Sequence, residues 1–157
     1  MPVRYTDNEI ANMLQEPKPL PEDYLERFIL RHKKGHSERE LEIEGAQEHK
    51  FLLILRHATF NPLDFSIILA FLPEETTKLF RLVRYNGKSH QHTNSIEREA
   101  FYNFHIHMAT ERYQQFGTRE DAYATPTDRF SDFNSALTCM VEDNGFILPP
   151  GIQRSFL

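Results

Sequence analysis

Apolar residues recur at helical spacing near both ends of the chain and at strand spacing between them. At the start, Thr6 and Glu9 form a capping-box pattern ahead of an apolar helical face. At the end, apolar residues repeat three and four positions apart over 130–141, and Asn144-Gly145 then supplies a typical helix stop. A further short helix is predicted after Pro21, because proline suits a first helical turn. The chain is therefore predicted to begin and end with helices.

The middle of the chain is typical of four consecutive strands. Polar and apolar residues alternate over 40–44, as in a half-buried strand. Short continuous apolar runs follow at 51–55, 65–72 and 79–85, and turn residues such as Asn61-Pro62 separate them. Short connections of this kind favour an antiparallel meander.

Asn86-Gly87 is the strongest turn signal in the sequence, because a type I′ hairpin requires positive φ at both of its central residues. It predicts that the next segment runs back along the preceding strand. His90 and His92 would then lie beside Arg81, with Arg84 on the opposite face of the ribbon.

A further strand is predicted over 101–108, and its alternation assigns two faces. The face turned towards the core is apolar and consists of Tyr102, Phe104, Ile106 and Met108. His105 and His107 fall on the other face. We therefore expect that replacing either histidine by alanine leaves the fold intact, whereas a charge at Ile106 would unfold it.

Together these elements predict a single α+β domain over residues 1–148, followed by a C-terminal tail at 149–157. The expected architecture is a twisted antiparallel sheet of about five or six strands, with the N-terminal and C-terminal helices packed on one face. Its opposite face would carry the histidines. Residues 109–116 either continue the strand or form a helix closed by Gly117, and the helix is favoured; a loop is expected over 123–128, before the last helix.

The composition is that of an ordinary globular protein, with 157 residues, 39% of them hydrophobic and 26% charged. The formal net charge is −5, which argues against broad nonspecific binding to DNA or to an anionic membrane. Cys139 is the only cysteine, and no apolar run reaches the roughly 18 residues that a membrane span needs. These features favour a cytoplasmic protein without a membrane partner, and they leave the oligomeric state open.

Two His-x-His pairs carry the candidate chemistry. Each pair presents two imidazoles on one face of a strand, and imidazole both titrates near neutrality and binds metals. The first hypothesis is a metal-independent, toxin-type ribonuclease, in which one imidazole takes a proton from a 2′-hydroxyl and another protonates the leaving oxygen. The acid–base candidates are His90, His92, His105 and His107. The candidate substrate ligands are Arg81, Lys88, Arg112 and Tyr113.

The alternative hypothesis is a site for a divalent transition metal. His90-x-His92 followed by Glu97 resembles the first half of the cupin motif, in which two histidines and a glutamate bind a divalent metal. A glutamate also follows the second pair, so the candidate ligands are His90, His92, Glu97, His105, His107 and Glu111. The sequence departs from the cupin pattern in two ways. The glycine five residues before the first histidine is missing, and so is a second motif.

Segments 84–87, 104–113 and 123–127 resemble small uncharacterised bacterial proteins, some of which act as toxins of toxin–antitoxin pairs. The resemblance implies RNA or a cognate protein as partner. A third hypothesis is therefore a non-enzymatic module that binds a partner protein. The simplest hypothesis is that the histidines are hydrogen-bonded strand residues without chemistry.

Overall fold

The computed structural model describes residues 3–117 and 119–150. Its helices are α1 (Asp7–Gln15), α2 (Tyr24–Arg27), α3 (Glu111–Phe116) and α4 (Phe133–Asp143). Its strands are β1 (Lys18–Pro19), β2 (Arg31–Lys33), β3 (His36–Glu44), β4 (Lys50–Ala58), β5 (Phe65–Leu72), β6 (Phe80–Asn86), β7 (His92–Asn94), β8 (Glu99–Phe101), β9 (His105–Met108), β10 (Ala124–Pro126) and β11 (Phe146–Ile147). From residue 151 onward, the predicted tail lies outside the described residues. Within the described residues, every helix is too short to span a bilayer.

Seven strands form one antiparallel sheet in the order β10-β9-β6-β5-β4-β3-β2. The strands β3 to β6 follow one another in this sheet, which confirms the predicted meander. The sheet is larger than predicted because its two edge strands, β2 and β10, are not among the strands that the sequence predicts. β2 is fully exposed and β10 contains a proline, so neither has the apolar pattern by which strands are recognised.

One face of the sheet carries the main core. The register aligns Leu41, Leu53, Leu69 and Val83 across four neighbouring strands, and all four are buried. Buried residues of α1, α2 and α4 belong to the same apolar cluster, among them Ile10, Met13, Tyr24, Leu137 and Met140. Side chains along a strand point alternately to opposite faces, so the residues between the core-facing ones lie on the second face of the sheet.

The helices begin and end at several of the predicted signals. Thr6 Oγ1 accepts the Glu9 N–H at 3.1 Å, and Glu9 Oε1 accepts the Thr6 N–H at 2.9 Å, so the capping box is present. α3 stops at Gly117, whose φ of 90° is a left-handed value that glycine adopts without strain. α2, the short helix predicted after Pro21, has only 4 residues, and Ile29 beyond it is exposed.

The predicted type I′ hairpin at Asn86-Gly87 is wrong. β6 pairs with β9 and not with the segment that follows it, and neither residue of the dipeptide has positive φ. Gly87 instead donates its N–H to the Phe65 carbonyl at 3.0 Å, and the Lys88 N–H reaches the Leu63 carbonyl at 2.9 Å. The chain thus leaves the sheet after β6, and His92 belongs to the separate two-stranded hairpin of β7 and β8.

Gly87→Ala is expected to lower the free energy of unfolding by about 3 kcal/mol. A Cβ atom at this position would lie 1.9 Å from the Leu63 carbonyl oxygen, so two backbone segments would have to separate. Gly35→Ala is the matched control, because nothing lies within 4 Å of the added Cβ and only its φ of +82° opposes the change. We expect a cost of about 1–2 kcal/mol there. Urea denaturation measures both, and a smaller loss at Gly87 than at Gly35 would contradict the close approach.

Candidate metal centre

Three of the predicted histidines meet on the second face of the sheet. His105 and His107 lie on β9, and β7 of the separate hairpin contributes His92. One ring nitrogen of each lies within 4.8 Å of those of the other two. The ring centroids are 5.3 Å apart for His92 and His105, 4.8 Å for His92 and His107, and 4.9 Å for His105 and His107. We call these three residues the histidine trio.

Hydrogen bonds to backbone carbonyls orient the two rings on β9. Nδ1 of His105 lies 2.9 Å from the Asn103 carbonyl oxygen, and Nδ1 of His107 lies 2.7 Å from that of Asp121. A carbonyl oxygen only accepts, so each Nδ1 carries the proton and each Nε2 keeps its lone pair. Metal-binding histidines are held by the same kind of hydrogen bond. Within the described residues, the buried Nε2 of His105 has no hydrogen-bond partner.

Asn94 orients the third ring. Its side-chain oxygen accepts the Ala124 N–H at 2.9 Å and its amide nitrogen donates to the Ala124 carbonyl at 2.7 Å, so the orientation of the amide is determined. Nε2 of His92 lies 2.8 Å from the same side-chain oxygen and donates to it. Nδ1 is therefore the His92 nitrogen that remains for a metal.

The surroundings keep the two histidines of β9 uncharged. Burial lowers the pKa of His105 to about 4. Burial, together with the positive charge of Arg84, lowers the pKa of His107 to about 2. Both rings are neutral at physiological pH, which is the form of imidazole that binds a metal.

Part of the predicted core face of 101–108 is wrong. Phe104 and Ile106 pack against the main core, as expected. Tyr102 and Met108, however, are 65% and 42% exposed. The regular strand begins only at His105, so Tyr102 lies before it, and Met108 is its last residue.

The histidines of β9 are more deeply buried than the alternation predicts. His105 and His107 share a face of the strand, as expected, but they are only 1% and 4% exposed. The β7–β8 hairpin covers them: the ring of Phe101 packs edge-on against His105, with centroids 5.7 Å apart. The expectation that alanine at either position leaves the fold intact no longer follows, because each ring fills a buried position.

The first histidine of the first pair stands outside the trio. His90 is exposed, and its Nδ1 is 3.1 Å from Ser89 Oγ. Because β6 pairs with β9, neither His90 nor His92 lies opposite Arg81. Arg84 was expected on the opposite face from the histidines, but it stands directly across from His107 and shares its face.

The two glutamates predicted as metal ligands have other partners. Glu97 accepts the Tyr113 hydroxyl at 2.6 Å and an Arg112 N–H at 3.1 Å. Glu111 accepts the Asp7 N–H at 3.0 Å. Within the described residues, no carboxylate or thiolate belongs to the ligand group that the trio forms.

The predicted phosphate ligands also lie apart from the trio or are already paired. Arg81 lies 3.6 Å from the carboxylate of Glu120, and Arg112 forms the ion pair with Glu97. Lys88 lies over the ring of Phe104, with Nζ 5.2 Å from its centroid.

The sequence did not identify Asn94 and Asp121, which orient His92 and His107 through hydrogen bonds. Asp121 is fully buried, and its carboxylate lies 3.2 Å from Nε of Arg84 while its carbonyl holds His107. Asp121 is 14 positions from His107, and the Ala124 backbone that fixes the Asn94 amide is 30 positions from it, so no local pattern marks either residue.

One protein family matches most of the chain, over residues 5–142, and it is described as a family of unknown function, DUF6978. The chain belongs to DUF6978. The range that matches DUF6978 includes the whole histidine trio and both residues that position it. No curated protein and no solved structure matches the chain.

Proposed function

We propose that this protein binds one divalent transition-metal ion, with zinc the first candidate, through His92, His105 and His107. The observation that carries the proposal is the buried Nε2 lone pair of His105, which has no hydrogen-bond partner within the described residues. A buried acceptor without a partner costs free energy, and a bound ion would remove that cost. The ring nitrogens of the other two histidines lie close enough to complete the set.

The donor set favours particular metals. Three imidazoles without a carboxylate suit zinc, copper, nickel or cobalt, whereas calcium and magnesium require oxygen ligands. Three protein ligands leave one position of a tetrahedral zinc for water or for a substrate atom. That arrangement is typical of catalytic zinc sites, in which the metal lowers the pKa of the bound water.

The metal-independent ribonuclease receives less support. A general acid or base works best when its pKa is near the working pH, and the pKa values of about 4 and about 2 for His105 and His107 are far below neutrality. Both rings are also almost fully buried. RNA cleavage by the purified protein in excess chelator would favour the ribonuclease over the metal site.

We expect protein purified without a histidine tag to bind about one equivalent of zinc, which elemental analysis measures. Zinc at about one hundred times its dissociation constant should stabilise the fold by about 2.7 kcal/mol, which is seen as a thermal shift. Less than about a tenth of an equivalent of bound transition metal, without any shift on adding zinc, would exclude the site.

Ligand variants assign the site to the trio. His105→Asn and His107→Asn each keep an N–H near the position of Nδ1 and remove the Nε2 ligand. We expect each to weaken zinc binding at least about 100-fold, because even the partners that orient a ligand are worth 10–100-fold. His90→Ala is the matched control and should leave the affinity unchanged. Equal losses in all three variants would contradict the assignment.

A further inference from the structure

A cationic groove lies on the same sheet face as the histidine trio, towards the other edge of the sheet. It has a volume of about 280 Å³. Its lining consists of Lys34, Gly35, His36, Arg56, Ala58, Asp64, Phe65 and Ser66. The register places Arg56, Ser66, Asn86 and His105 in one row across four neighbouring strands. With strands about 4.8 Å apart, the backbones of Arg56 and His105 are separated by about 14 Å.

The positive charges of this groove are available to a ligand. Lys34 and Arg56 are exposed, and neither makes an ion pair with another residue of the described chain. Two carboxylates stand near these cations. Asp64 belongs to the groove lining, and Glu38 stands opposite Arg56 in the register but pairs with Lys33 at 2.5 Å. Arg81 and Arg112, by contrast, are bound to glutamates. The groove therefore presents two exposed cations that have no ion pair among the described residues, whereas two of the positions that the sequence suggested, Arg81 and Arg112, are already paired.

An exposed aromatic ring stands beside the groove. Phe60 is 92% exposed, and its neighbour Thr59 donates its N–H to the carbonyl of Gly35, in the groove wall, at 3.1 Å. The same loop supplies Asp64 to the lining. The exposed ring of Phe60, next to cations, offers a surface on which a base can stack.

We propose that this groove binds single-stranded RNA. Lys34 and Arg56 hold a phosphate, and Phe60 stacks on an unpaired base, which a duplex would not present. The carboxylate of Asp64 would repel a phosphate but can accept a hydrogen bond from a ribose 2′-hydroxyl, and this favours RNA over DNA. The proposal does not rest on the metal centre, because none of these residues belongs to the histidine trio.

Fluorescence anisotropy with a labelled oligouridine of about 12 nucleotides tests the proposal, at about 50 mM salt and in excess chelator. The chelator separates this test from the proposed metal site. We expect Arg56→Ala and Lys34→Ala each to weaken binding at least about fivefold and to reduce the salt dependence by about one phosphate contact. Phe60→Ala should also weaken binding at least about fivefold, because a stacked base is lost. Lys50→Ala is the matched control, since it removes an exposed positive charge from the far end of the same strand.

Three further comparisons make the outcome decisive. We expect the control variant to change the affinity less than about twofold, and single-stranded DNA of the same sequence to bind at least about fivefold more weakly. An RNA duplex should also bind more weakly, because its bases are hidden from Phe60. Absence of binding at low salt, an equal loss in Lys50→Ala and Arg56→Ala, or equal affinity for DNA or for the duplex would overturn the proposal.

Discussion

In the metal-free protein we expect the free energy of unfolding to fall by about 4 kcal/mol between pH 7.5 and pH 5. The pKa values of His105 and His107 in the folded state, about 4 and about 2, lie below the ordinary value of 6.5. Between these values the unfolded chain binds more protons than the folded one, so stability rises with pH. The contribution of the two neutral histidines to the free energy of unfolding is fully present above pH 6.5. It is lost as the pH falls below that value, by about 1.4 kcal/mol per pH unit for each histidine.

Urea denaturation at stepwise pH in excess chelator measures this loss. His107→Asn cannot titrate but keeps a donor for the Asp121 carbonyl, so we expect it to remove about half of the pH dependence. His90→Ala should leave the dependence unchanged, because that ring is exposed. A stability that does not vary between pH 7.5 and pH 5 would show that the two rings are not buried in the neutral form.

Lys18→Met is expected to lower the free energy of unfolding by more than about 4 kcal/mol. Lys18 is fully buried, and its Nζ lies 2.8, 3.0 and 2.9 Å from the carbonyl oxygens of Met13, Leu14 and Glu16 and 2.9 Å from that of Asn144, so its three N–H groups are shared among four acceptors. The ammonium thus holds the carboxyl-terminal ends of α1 and α4 together, where the helix dipoles favour a positive charge. Methionine would fill the volume but leave four carbonyls without a donor, at about 1–3 kcal/mol for each buried one.

Denaturation with urea compares this variant with Lys50→Met. Lys50 is exposed on β4, so we expect its replacement to change stability by no more than about 0.5 kcal/mol. Because the two substitutions are chemically identical, the difference between them isolates the buried contacts. A loss below about 1 kcal/mol for Lys18→Met would show that the four carbonyls find other donors, such as water.

The parts of the fold that the sequence predicts correctly depend on neighbours close along the chain. The meander β3 to β6 follows from apolar runs with short connections, and the capping box of α1 joins residues three positions apart. In each case the partner lies within one turn or one hairpin, so a local pattern contains the whole interaction.

The predicted hairpin at Asn86-Gly87 is wrong because the conformation of this dipeptide depends on residues that are distant along the chain. The dipeptide suits a type I′ turn locally, but Gly87 is held by the Phe65 carbonyl and lies against Leu63. These contacts come from the connection between β4 and β5 and from the first residue of β5, more than twenty residues earlier in the chain. Tertiary contacts of this kind outweigh a turn propensity of the order of 1 kcal/mol.

The alternation of the chain by itself determined that His105 and His107 share a face, since the period of a strand is two residues. It could not determine whether that face meets solvent. Only the tertiary structure decided this, by folding the β7–β8 hairpin across β9 and bringing His92 and Phe101 against the two rings. The same packing excluded His90, Glu97 and Glu111 from the candidate site, because spacing along a chain places a ligand only when the segment between is one continuous strand or helix.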